Sequence, residues 1–171
     1  GKKNKQVDAF IESIKKQCIP EFEVIVCGSY ESKDSKVMII PDVESEDIRA
    51  PINTKKNTII GNCKYQNIGI FHDRFLLPLD WFKKIKNYGN NFEILQIPNL
   101  DLNGQRVNDW PIFKNTDGIQ FKINGGLDYT KYSKKIFIPG GSFIGKKWIF
   151  KKYPLKNILH WDELEDVIFS K

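Results

Sequence analysis

The sequence predicts an α/β fold with a mixed sheet flanked by helices in a single domain. Three observations lead there. Segments of helical and strand period alternate through the first hundred residues, and strand-like runs dominate after that. The chain has 171 residues, 40% of them hydrophobic and 13% aromatic, enough for one real core and too apolar for disorder. No apolar run approaches the roughly 20 residues that span a bilayer.

Val7, Phe10, Ile11 and Ile14 recur at helical spacing, so residues 7–17 predict an amphipathic helix that Pro20 stops. Phe22 to Cys27 is a short buried strand ending at the turn Gly28-Ser29, and Val37 to Ile40 is a second, closed by Pro41-Asp42. A polar loop covers residues 43–50. Residues 54–65, rich in Lys and Asn, form a helix weakened by Gly61. Asn67 to Phe71 is the next strand and delivers His72-Asp73 at its carboxyl end. Leu79, Trp81, Phe82, Ile85 and Tyr88 then mark a short helix, and Phe92 to Ile97 a strand.

Pro98 to Thr116 has no clear period, and a loop of that length in a compact domain is functional or mobile. Ile119–Ile123 and Lys135–Ile138 read as strands punctuated by Gly125-Gly126 and Gly140-Gly141. Residues 162–170 read as a final helix, with Asp162 as N-cap and Glu165 completing a capping box.

Charge and cysteines narrow the function only a little. The net charge of +6 comes from lysines spread along the chain rather than clustered, and no nucleic-acid motif accompanies it, so a nucleic-acid binder is not expected. A solvated lysine-rich surface accounts for the same charge. Cys18, Cys27 and Cys63 are odd in number and lack metal spacing, which predicts free thiols and a reducing, cytoplasmic setting. Nothing at the start reads as a signal peptide, because Gly1 to Lys5 leads straight into the first helix.

Two acidic clusters stand out. Asp73 sits at a strand end, where a carboxylate can hold a cation and the phosphates it screens; Glu165 and Asp166 sit on the later helix, where a carboxylate can take a proton from a sugar hydroxyl. Each has a structural alternative. Asp73 could cap a turn or pair with Arg74, and the acidic run 162–166 could simply complement a helix N-terminus, worth roughly 0.3–1 kcal/mol per group.

With these residues in view, the chain resembles glycosyltransferases of the GT-A fold, family 2 type. Val7–Gly28 is similar to their first helix and second strand. Asn53–Phe82 is similar to the following helix, strand, Asp-x-Asp-type motif and Leu-Pro segment, and His160–Lys171 to the closing segment with its Glu-Asp pair. The resemblance covers nearly all of residues 1–171 and implies a mixed, mostly parallel sheet. It departs from the family in three places. The chain starts at the helix, so the family's first strand is expected to be absent, truncated or supplied separately. Gly28-Ser29-Tyr30 stands where an acidic residue is common. The metal motif keeps only Asp73, with Phe71 and Arg74 at the other carboxylate positions.

What the resemblance implies is an inverting transfer of a sugar from a nucleoside diphosphate sugar to a hydroxyl on a glycan or lipid-linked acceptor, as in polysaccharide biosynthesis. Asp166 would be the base, with Glu165 beside it. Lys56, Asn57, Asp73 and Arg74 would face the nucleotide donor, and Trp161 and Gly141 the acceptor. A divalent metal, Mn²⁺ or Mg²⁺, would sit on Asp73 and His160, with Arg74 as a partial replacement for its charge. Location would be cytoplasmic, with peripheral membrane association for a lipid-linked acceptor. The alternative is a degenerate GT-A domain that binds glycan or protein without catalysis.

Overall fold

A computed structural model describes residues 2–43, 52–107, 109–112, 126–134, 136–156 and 170. The chain opens with helix α1 (Lys2–Lys15), which starts before the apolar stripe that predicts it. Ile11 from that stripe is buried, and Cys18, with φ of 53°, turns the chain out of the helix ahead of Pro20. Strands β1 (Val24–Cys27) and β2 (Val37–Ile40) follow and pair in parallel, Val24 opposite Val37 and Cys27 opposite Ile40. Helix α2 (Ile52–Asn62) packs on β1.

Next come β3 (Asn67–Phe71), α3 (Trp81–Tyr88), β4 (Ile94–Gln96), β5 (Ser142–Lys146) and the short α4 (Lys147–Lys152). They build a second sheet in the order β3-β5-β4, and β5 runs antiparallel to both neighbours. The fold is therefore mixed α/β, with a small parallel sheet and a small antiparallel one among helices. Parallel pairing among the described strands is confined to β1 and β2, which narrows the mostly parallel sheet that the resemblance implies.

Strand β5 was not legible as a strand. Its residues Ser142 to Gly145 are all buried, so no alternation marks it, and the two glycines before it read as a turn. Lys135–Ile138, expected as a strand, contributes a single bridge between Ile112 and Ile136. Ile119–Ile123, the polar loop from residue 44 onwards and the final helix lie outside the described residues, apart from Ser170, whose hydroxyl accepts from the Ile138 N–H at 2.8 Å.

β3 shows why the sheet needs helices on both faces. Ile68 and Ile70 point into the main core with Ile60, Cys63, Phe143, Phe150 and Leu155 from α2, β5, α4 and the segment after it. Phe71 points the other way and packs against Phe10 of α1 and Trp81 of α3, with ring centroids 5.4 and 6.0 Å apart. Thus α2 and α4 cover one face of β3, and α1 and α3 the other. Buried Gln17 ties that second layer together. Its amide donates to the Ser13 and Pro78 carbonyls at 3.0 and 2.9 Å, and its oxygen accepts from the Phe82 N–H at 3.0 Å.

Candidate functional site

Because β5 runs against both neighbours, β3 and β4 end at one edge of the sheet, where β5 begins. That edge gathers His72-Asp73-Arg74 after β3, Asn99 after β4, and Gly141-Ser142 at the start of β5. The His72 N–H donates to the Gly141 carbonyl at 2.9 Å, which carries the pairing one residue past the strand. Gly141 lies under the His72 ring: a Cβ there would sit 3.5 Å from Nδ1, leaving the residue in ordinary contact with imidazole.

Asp73 is exposed, and among the described residues nothing pairs with its carboxylate. Arg74 turns away from it and brings Nη2 to 3.0 Å from His72 Nδ1. A guanidinium only donates, so Nδ1 accepts and the imidazole proton sits on Nε2. The edge therefore presents an open carboxylate and a guanidinium on one short turn, closed by the Phe75 N–H to the His72 carbonyl at 3.2 Å. The free carboxylate oxygens can accept hydroxyls or ligate a hard cation; the guanidinium can face phosphate.

Behind this surface runs a hydrogen-bonded chain that sequence reasoning missed. The Ser142 hydroxyl, fully buried, donates to the Asn99 side-chain oxygen at 2.6 Å, and the Asn99 N–H donates to Asp109 Oδ2 at 2.8 Å. Asp109, 1% exposed, also accepts from Arg106 Nε at 2.5 Å and from the Tyr129 hydroxyl at 2.7 Å. Arg106 lies over the Tyr129 ring, 3.9 Å from its centroid, and Trp110 meets that ring edge-on. Burial, together with the bond to Asp109, pushes the Tyr129 phenol up to about 12. The one sequence signal for this hub was Arg106 three residues before Asp109, in a stretch with no period.

The other expected residues fall elsewhere. Asn57 is engaged by the backbone of Leu155, donating to its carbonyl at 2.7 Å and accepting from its N–H at 3.2 Å. Lys56 is buried on α2, at 5% exposed. The structure brings Asp73, Arg74 and Gly141 together. His160, Trp161, Glu165 and Asp166 lie outside the described residues. Among the described residues no three His, Cys, Asp or Glu side chains cluster as a metal site, and no helix is long and apolar enough to cross a membrane.

Comparison with known proteins adds one likeness. No family model matches the chain, and no curated protein matches it. Among solved structures, the chain is similar to residues 1–349 of TarS from S. aureus, a glycosyltransferase, with a TM-score of 0.63 at 15% identity. This chain and that structure share a mixed α/β fold. The likeness covers 98% of this chain and 51% of the TarS chain, so these residues span about half of the length of that chain. At this identity the likeness concerns the fold alone and does not carry over TarS's site residues.

Proposed function

We propose that the β3 edge binds the diphosphate of a nucleoside diphosphate sugar, and that the chain serves an inverting glycosyltransferase acting on a glycan or lipid-linked hydroxyl. The observation that carries this reading is the turn bearing Asp73 and Arg74 beside Gly141, at the carboxyl end of a strand in a glycosyltransferase-like fold. Open sheets of α/β proteins bind ligands beyond such strand ends.

In the proposed reaction Asp166, or Glu165 beside it, takes the proton of the acceptor hydroxyl. That oxygen attacks the anomeric carbon while the bond from this carbon to the diphosphate oxygen breaks. A single displacement inverts the carbon. Arg74 faces the departing diphosphate with a planar guanidinium, a geometry suited to phosphate oxygens.

Asp73 is anionic and would repel a bare diphosphate. It fits either as acceptor for ribose or sugar hydroxyls, or as one ligand of Mn²⁺ or Mg²⁺, with His160 as the proposed second. Its exposed, unpaired oxygens suit a hard cation. A bound cation would screen the diphosphate charge. Lys56, Trp161 and Gly141 keep their proposed donor and acceptor roles in this reading, whereas the Asn57 amide is committed to the Leu155 backbone; a cytoplasmic enzyme at the membrane surface suits a lipid-linked acceptor.

The test is calorimetric titration with UDP, GDP, CDP and ADP, each with and without Mn²⁺. One nucleotide should bind selectively, and Asp73→Ala should weaken it about tenfold or more while Asp166→Asn leaves it nearly unchanged. Binding of none of the four, alongside retained glycan binding, rejects the enzyme and leaves the non-catalytic binding module. Among the described residues this turn carries one exposed carboxylate, Asp73, rather than a pair, and that keeps the module in play.

A further inference from the structure

Helix α4 and the residue after it turn a basic, aromatic surface to solvent. Ile149 and Phe150 are buried on one side of this helix, while Trp148, Lys151 and Lys152, spaced i, i+3 and i+4, form a stripe on the other. Trp148 is 46% exposed and Tyr153, next after the helix, 53%. Residues 146–156 hold five lysines and no acid. The end of α2 lies alongside. The Lys147 N–H donates to the Gln66 carbonyl at 2.8 Å and its ammonium to the Cys63 carbonyl, which brings Lys64 and Tyr65 beside the start of α4.

The local charge is one-sided. Among the described residues, the acids that bond into this region are Glu23, whose carboxylate accepts the Lys64 N–H at 2.7 Å, and Glu93, whose backbone carbonyl accepts the Lys146 N–H at 2.9 Å. No described carboxylate forms an ion pair with Lys64, Lys151, Lys152 or Lys156.

The rings and the cations choose the partner. The Lys152 ammonium lies over the Tyr153 ring, 5.1 Å from its centroid, and the Lys64 ammonium over Tyr65 at 4.9 Å. Single-stranded nucleic acid stacks its bases on open ring faces in a groove, and here lysine covers a face of each tyrosine. A membrane interface asks for something else: amphipathic rings at headgroup depth, beside ammonium groups, on a ridge rather than in a groove. Every cation of residues 146–156 is also lysine. Lysine acts as a point charge towards an anionic surface, whereas specific phosphate recognition favours the arginine fork.

We infer that the α4 surface docks this protein on an anionic lipid bilayer, with Trp148 and Tyr153 at headgroup level and Lys151, Lys152 and Lys156 against anionic headgroups. This assigns a surface to the membrane association proposed above; it rests on that reading only for the lipid-linked acceptor, and docking is measurable without it. Strand β5 carries the chain from the β3 edge to α4, a span of about 13 Å for its five residues. Docking through α4 therefore leaves Asp73 and Arg74 open to substrate.

The test is flotation of the 171-residue protein with vesicles of phosphatidylcholine alone and of an equimolar mixture with phosphatidylglycerol. The protein should float with the anionic vesicles and not with the neutral ones. Lys151→Gln with Lys152→Gln should weaken partition about 25-fold, about fivefold per lysine. Trp148→Ala should weaken it at both low and high salt. Lys33→Gln with Lys131→Gln, the same loss of charge at exposed positions on other segments, should change it about twofold or less. Equal losses in the two double variants, or no flotation with anionic vesicles, overturn the inference. So does binding to poly(U) that the α4 double variant loses while vesicles fail to float the protein, which assigns the surface to nucleic acid. Asp73→Ala should float like the parent chain, and the α4 double variant should titrate with nucleotide like it, so failure of docking and failure of the transfer reading are told apart.

Discussion

Replacing Asp109 with alanine should be among the most damaging changes near the β3 edge. The side chain is 0% exposed and anchors three donors: the Arg106 guanidinium, the Tyr129 hydroxyl and the Asn99 N–H. Removing one partner of a buried ion pair costs about 3–5 kcal/mol, because the other charge is left uncompensated. Arg106 is 26% exposed and Tyr129 43%, so both can recover water and pull the value to the low end. The stranded Asn99 N–H adds a desolvation cost of roughly 1–3 kcal/mol where water cannot reach it. The expected loss is about 3 kcal/mol. In urea this lowers the midpoint at unchanged slope, and in a melt it lowers Tm by about 6–12 °C for a chain of this size. Asp101→Ala is the control: Asp101 accepts two backbone N–H bonds in an exposed turn, and its loss should cost under about 1 kcal/mol. If Asp109→Ala also costs under about 1 kcal/mol, the hub is not what holds residues 99–110 against the sheet.

Gly145→Ala should cost about 1–3 kcal/mol in the same urea assay, because a Cβ there would run into the buried Phe150 ring. Burial pushes the Cys63 thiol up to about 11 from 9.0, so it should carry about 100-fold less thiolate near neutral pH than an ordinary cysteine; a thiol reagent should label exposed Cys18 first and reach Cys63 only on unfolding. The Tyr129 phenol titrates near 10 unfolded and about 12 folded, so its contribution to stability is complete below about pH 10 and is lost as pH rises through 12. Tyr129→Phe should therefore flatten the fall in stability across that window. Tyr30, held by Asp8 and also pushed up to about 12, contributes with the same sign and is removed in parallel as a check.

Local pattern was enough where an element obeys one period or one stop signal. β2 and β3 have the bounds their apolar runs predict, because Pro41 and the polar Gln66 and His72 punctuate them. The helices α1 and α3 follow from their stripes of Phe10, Ile11, Ile14 and of Trp81, Phe82, Ile85. What stayed hidden depends on distant partners. β5 is central, so burial on both faces erased its alternation, and its antiparallel course is set by pairing with β3 and β4, which no local rule encodes. The site divides in the same way. Asp73 was legible because a carboxylate directly after an apolar strand is a local signal. Asp109 was not, since its importance comes from Asn99, Arg106 and Tyr129, which only the folded loop brings to it. Asn57 shows the converse: an amide on a lysine-rich helix suits a nucleotide by type, but in space it faces the Leu155 backbone.

The Asp73-Arg74 turn is exposed, yet it is held from both sides. Upstream, the His72 N–H is tied to Gly141, and Gly141 precedes the Ser142–Asn99–Asp109 chain. Downstream, the Leu77 N–H donates to the Ser13 hydroxyl at 3.2 Å, while Gln17 holds the Pro78 carbonyl and the Phe82 N–H. The chain between these anchors is short, so Asp73 and Arg74 reach solvent from a fixed base rather than from a loose loop. A ligand that meets such a turn orders few new torsions, and more of its contact energy survives as affinity. The same anchoring separates two kinds of effect. Asp73 carries no bond among the described residues, so its removal should act on the ligand of the proposed site rather than on the fold. Gln17 and Asp109 touch no solvent-facing ligand position, so their removal acts through the placement of the turn. A polar residue buried beneath the edge and a charged residue standing on it would thus perform different tasks in the proposed site.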